Sequence, residues 1–175
     1  PRYRGQRGPV TFATSVFGVE RLLFLIMDDP DLAGRFSDAI RRAMLGMAAV
    51  LDAEAGDTPE TAPRGFSFAD DNCCLVTPEM YEQFALPIVS GMFGRYAPDP
   101  GDWRFQHSDS EMSHIVPILA KLEMSAVNFG PTVMADFIRS HMPRTVIQGV
   151  LAPFTYSRHD RRGMVMELMR DYDLT

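Results

Sequence analysis

Trp103-Arg104-Phe105-Gln106-His107-Ser108-Asp109 is an apolar-led stretch that runs into polar, reactive residues and is followed by a segment with helical spacing. Four other stretches repeat that plan: Val10 to Ser15, Phe66 to Asp71, Ala126 to Asn128 and Thr145 to Gln148. A recurring strand, polar tip and helix is the pattern of a parallel α/β fold, because each helix carries the chain back to start the next strand on the same side. Active sites in such folds lie at the carboxyl ends of the strands. Ser15, Asp70, Asp71, His107, Asp109, Asn128 and Gln148 are therefore expected along one rim.

The segments between these strands read as helices. Val19, Leu22, Leu23 and Ile26 share one face of a helix over Gly18 to Met27. Asp28-Asp29-Pro30 is a stop followed by a helix start, and the next helix is expected to run to about Glu54. Gly56 to Arg64 is a surface loop. Thr77-Pro78-Glu79 opens another helix, with Thr77 as cap, and Pro87 inside its apolar pattern predicts a kink. Further helices are expected at about Glu111 to Leu122, Thr132 to His141 and Ser157 to Arg170, the last with a capping-box arrangement of Ser157 and Asp160.

Five strands do not close a barrel of eight, which takes about 250 residues. The 175 residues, 46% of them hydrophobic, suit one core and one domain. The expectation is a partial (β/α)8 TIM barrel, with parallel strands and outer helices, whose two ends read as cut. Its open edges, expected near Val10 to Phe17 and Val146 to Pro153, predict a homo-oligomer or a place in a longer chain. A formal charge of -6 argues against nucleic acid as partner, since phosphate contacts need clustered Lys and Arg. No apolar run approaches the ~20 residues of a membrane-spanning helix, so a soluble cytoplasmic protein is expected. The two cysteines, Cys73 and Cys74, are adjacent and give no secreted disulfide pattern.

Two places carry candidate chemistry. Asp70, Asp71 and Asn72 end the Phe66 stretch, and adjacent carboxylates repel, which raises one pKa and suits acid–base or cation-binding work. His107 and Asp109, two apart in an extended segment, point the same way and could meet one ligand or one metal. Cys73, Cys74, Asp70, Asp71 and Glu111 are the side chains left to complete a metal site. Cys73 and Cys74 read as small buried residues, and His114, His141 and His159 as surface or capping residues. The twelve methionines and twelve phenylalanines read as core filling, with a pocket for a large flat ligand as the alternative.

Four segments, in order and spacing, resemble the uroporphyrinogen decarboxylase superfamily: Gly8-Pro9-Val10-Thr11-Phe12-Ala13, Phe84-Ala85-Leu86-Pro87, Phe105-Gln106-His107-Ser108-Asp109 and Val146-Ile147-Gln148-Gly149-Val150-Leu151-Ala152-Pro153. The resemblance spans essentially the whole chain and the middle and later part of the family's barrel. It implies a barrel enzyme acting on a tetrapyrrole or similarly large anionic small-molecule substrate, nominally a decarboxylase that needs no cofactor. On that implication Asp70, Asp71, His107 and Asp109 are the catalytic candidates, and Ser15, Phe17, Asn128 and Gln148 the substrate contacts. The alternative within the superfamily is a methyltransferase using zinc and a corrinoid. There the His-x-Cys metal motif falls on His107-Ser108-Asp109, with Asp109 in place of cysteine, so His107 and Asp109 would hold the metal. The alternative from another class is a non-catalytic or truncated barrel fragment.

Overall fold

The computed structural model describes residues 5–58, 60–149, 151–158 and 160–174. Val150 of the last segment quoted above, and His159, lie outside the described residues. Among the described residues five strands form one sheet, all parallel and in chain order: β1 (Gly5–Arg7), β2 (Phe66–Ala69), β3 (Arg104–Ser108), β4 (Ala126–Phe129) and β5 (Val146–Ile147). Strands that are sequential neighbours and always parallel need a crossover between each pair, and helices supply it. These are α1 (Pro9–Phe17), α2 (Val19–Asp28) and α3 (Pro30–Ala55) after β1, and α4 (Pro78–Met80) and α5 (Leu86–Tyr96) after β2. After β3 comes α6 (Val116–Ala120) and after β4 comes α7 (Ala135–His141), while α8 (Pro153–Arg158) and α9 (Arg161–Asp173) follow β5.

The first strand is not where the sequence places it. Val10 to Ser15 lies within α1, and β1 is the preceding tripeptide Gly5–Arg7. Pro9 takes the first helical position, where its missing N–H costs nothing, and the next two free N–H groups, of Val10 and Thr11, are accepted by the Asp70 carboxylate at 3.4 and 2.7 Å. With those donors satisfied, the apolar run winds into a helix that buries Val10, Ala13 and the Thr14 turn. Among the described residues the sheet edges are accordingly β1 and β5 rather than the Val10 to Phe17 segment.

Two further boundaries shift for local reasons. The kink expected from Pro87 is a π turn over Tyr81–Ala85, in which the Leu86 N–H reaches back to the Tyr81 carbonyl. Widening the helix one turn before the proline accommodates the carbonyl that its ring would strike and the bond that its nitrogen cannot make. The helix expected over Ser157 to Arg170 is divided: α8 ends at Arg158, and Asp160 caps α9 by accepting the Gly163 N–H at 2.9 Å.

The two faces of the sheet differ. Phe66 and Phe68 of β2 point toward the helices, where Phe66 stacks on Tyr96 at 5.7 Å and Phe68 meets Phe93 edge-on at 5.5 Å. Gln106 and Ser108 of β3 and Val127 and Phe129 of β4 are buried on the same side. The alternate residues Ser67, Ala69, Phe105, His107 and Asn128 are only partly buried, and Arg7 and Val146 are exposed. One face is thus a packed core and the other is open, as the two-residue period of a strand dictates when helices cover a single side. No single described helix is long and apolar enough to cross a membrane.

Phe68 is almost wholly buried and Ser67 beside it is not, so the two report on the two faces. Phe68→Ala is expected to lower the unfolding free energy by about 3–5 kcal/mol, and Ser67→Ala to change it by no more than about 0.5 kcal/mol. Equilibrium denaturation in urea checks both.

Candidate functional site

The register of the sheet decides which side chains meet. Arg7 pairs with Ala69, Ala69 with His107, and His107 with Asn128, so these four stand in one lateral row on the open face. The Val127–Ile147 pairing sets Gln148 beside Asn128. Asp71 and Asp109 lie one step beyond the row, at the carboxyl ends of β2 and β3. Ligand atoms of Asp71, His107 and Asp109 all fall within 4.8 Å of one another.

Hydrogen bonds fix the imidazole. Asn128 Nδ2 donates to the Gln148 carbonyl at 2.7 Å, which turns Oδ1 of the same amide toward His107 Nδ1 at 2.5 Å. An amide oxygen only accepts, so Nδ1 carries the proton and Nε2 is left with a lone pair or a second proton. That Nε2 faces Asp109 Oδ2 at 3.6 Å, too far for a hydrogen bond. Gly149, at φ 84°, lets the chain pass close over the Asn128 amide, where a Cβ would overlap Nδ2. Asp71 is drawn to the same point, since its Oδ1 accepts the Asp109 backbone N–H at 2.8 Å. A lone pair and two carboxylates converging on a small gap make a place for positive charge: a proton on Nε2 or a cation. The donor set, one imidazole nitrogen and carboxylate oxygens, fits a divalent ion of borderline hardness. The Asn128 bond to Nδ1 is the outer support that metal-binding histidines use.

The other expected residues lie elsewhere. Asp70, fully buried, is not on the open rim: its carboxylate sits under the first turn of α1, and Gly8 packs so closely on it that a Cβ there would overlap the Asp70 Cβ and Cγ. Burial pushes the Asp70 carboxyl up to about 6, against the opposing pull of the Thr11 and Val10 N–H groups and the Thr11 hydroxyl. Ser15 is half a helix away from any strand tip, bonded to the Thr11 carbonyl at 2.7 Å. Phe17 closes α1 and packs on Phe36 of α3 at 5.5 Å. Gln148 contributes its backbone carbonyl through Asn128. Cys73 is buried beside Ser108, and burial pushes its thiol well up, away from the thiolate form. Cys74 is partly buried. His114 reaches the Val76 carbonyl at 3.0 Å and His141 the Phe137 carbonyl at 3.0 Å, both away from the cluster. A separate groove of about 490 Å³, lined in part by Glu123, His141 and Arg144, opens at the opposite, amino end of the strands.

Of the residues expected at strand tips, Asp71, His107, Asp109 and Asn128 are brought together, while Arg7 in the same row and Gly8 and Gly149 beside it are not among the expected site residues. For Gly8 the Gly-Pro pair ahead of an apolar run was the available signal. No protein-family model matches the chain, and no curated protein matches it significantly.

Because the folded carboxyl of Asp70 titrates near 6 and its ordinary value is 3.8, the folded state holds a proton that the unfolded chain has released. Its contribution is therefore fully present below pH 3.8 and is lost as pH rises to about 6, a change of about 3 kcal/mol. Asp70→Asn keeps an oxygen for Thr11 and cannot ionise. The stability of Asp70→Asn relative to wild type is expected to climb between pH 4 and pH 7 and then level off, measured by denaturation across that range. Gly8→Ala, which forces Asp70 from its place, is expected to destabilise at every pH.

Proposed function

We propose that this chain is part of a (β/α)8 barrel enzyme of the uroporphyrinogen decarboxylase superfamily, with Asp71, His107 and Asp109 as its reaction centre and Asn128 holding the histidine. The reading is supported by the order of the sheet, five parallel strands in sequence with one open face, and by the place of the cluster at the strands' carboxyl ends. The observation that carries it is the His107 Nε2 aimed at Asp109 across 3.6 Å with Asp71 alongside.

On the decarboxylase reading the substrate is a tetrapyrrole or similarly large anionic molecule. Protonation of its ring carbon places positive charge on the ring, which a carboxylate steadies. The bond to the carboxyl carbon then breaks, its electron pair returns to the ring and carbon dioxide leaves. Asp71 is the carboxylate in position for that role, since Asp70 is enclosed beneath α1. His107, with one nitrogen fixed by Asn128, has the other free to hold or pass a proton.

The close approach of three ligand atoms favours a second reading, a methyltransferase of the same superfamily with a divalent ion such as zinc. Asp71, His107 and Asp109 would hold the ion, which would supply Lewis-acid charge to a bound nucleophile. A zinc titration of the protein, followed by calorimetry, separates the two. The decarboxylase reading expects carbon dioxide release from porphyrinogen substrates that survives chelation and falls about 100-fold or more in His107→Ala and Asp71→Asn. The methyltransferase reading expects stoichiometric zinc uptake that both variants abolish. Wild-type activity and zinc uptake that are both indifferent to His107 would overturn the assignment of the site.

A further inference from the structure

The row that holds the reaction centre begins with a cation. Arg7 ends β1, exposed, and its register with Ala69, and of Ala69 with His107, puts its side chain on the same open face as the imidazole. Two strand spacings separate Arg7 from His107, about 10 Å, and only the methyl group of Ala69 stands between them. Asp70, next to Ala69, is turned under α1 to the Val10 and Thr11 N–H groups, and Asp71 accepts the Asp109 N–H. The Arg7 side chain makes no hydrogen bond or ion pair with the other described residues. One row back, Phe105 rises from the same face, stacked on Trp103 at 5.8 Å with their planes 12° apart, and it is flanked by the small Ser67 and Ala126. The open face is therefore polar in the electrical sense: a guanidinium at one end, acids at the other, and an aromatic floor between them.

We propose that Arg7 is a specificity-determining residue that clamps a carboxylate of the substrate while the body of the substrate, ring-sized and apolar, lies over Phe105 toward His107. This rests on the reading that the open face receives substrate, and names the group that orients it. The guanidinium fork matches a carboxylate in a bidentate pair. Asp71 and Asp109 repel that same carboxylate, so the substrate enters with its anionic group at β1 and its reacting carbon at β3. An arginine that served only to discourage pairing at the sheet edge would do none of this.

The test is calorimetric titration of the whole polypeptide with benzoate and, as the uncharged equivalent, benzamide. The wild type is expected to bind benzoate more tightly than benzamide, and Arg7→Met to weaken benzoate 10-fold or more while leaving benzamide unchanged. Arg7→Lys, which keeps the charge and loses the fork, is expected to fall between them. Trp103, the chain's one tryptophan, should change its emission on binding. Failure of the wild type to prefer benzoate, equal losses for both probes in Arg7→Met, or binding without change at Trp103 would each overturn the proposal. A His107→Ala variant titrated alongside keeps the two ideas apart: loss of chemistry with intact Arg7-dependent binding bears on the reaction centre alone.

Discussion

The structure turns on one buried carboxylate. Asp70 leaves the end of β2, passes beneath the first turn of α1 and accepts the Val10 and Thr11 N–H groups, while the Gly8 N–H bonds the Ala69 carbonyl at 2.7 Å. A helix start buried without partners would leave several donors unsatisfied, each at a cost of about 1–3 kcal/mol. Here a single side chain from the neighbouring strand answers two of them and welds the β1-to-α1 turn to β2. The weld is reinforced from the other side. The Asn72 N–H and amide bond the Thr11 and Thr14 hydroxyls at 3.0 and 2.7 Å. With Asp70 occupied in this way, its neighbour Asp71 is the carboxylate that emerges on the open face.

From that fixed point the register of a parallel sheet does the rest. Each strand repeats the same alternation, so one face collects Phe66, Phe68, Val127 and Phe129 for the core, and the other collects Arg7, Asp71, His107 and Asn128. A slip of one residue in β3 would bury the imidazole against α5 and expose Gln106. Arg104, at the other end of β3, guards against such a slip by binding the Ala97 and Leu122 carbonyls from its guanidinium.

What the chain reveals by itself follows from how local each determinant is. Strands β2 to β5 are legible because their apolar cores and polar tips lie within a few residues of one another. Strand β1 is not, since Gly5-Gln6-Arg7 has no apolar signature and becomes a strand only by pairing with β2. Val10 to Ser15 misleads for the complementary reason: its Val and Thr content suits a strand, and the carboxylate that makes it a helix is 60 residues away at the Val10 bond. Asp70 and Asp71 cannot be told apart from their adjacency, because strand alternation sends one under the sheet and the other over it. The orientation of the Asn128 amide depends on the Gln148 carbonyl, another distant group. The division between α8 and α9 was signalled by Asp160, an acidic residue in a good capping position, though a continuous helical period obscured it.

The π turn over Tyr81–Ala85 sets the phase of α5 against α4, because a π turn holds one residue more than an α turn. Removing that residue would restore an even helical winding and rotate α5 by about 100° relative to α4. Phe93 and Tyr96 would then swing off Phe68 and Phe66. The extra residue is thus a phase correction: it lets one continuous helical rod serve two partners, α3 and the sheet, whose spacings no regular helix could meet together.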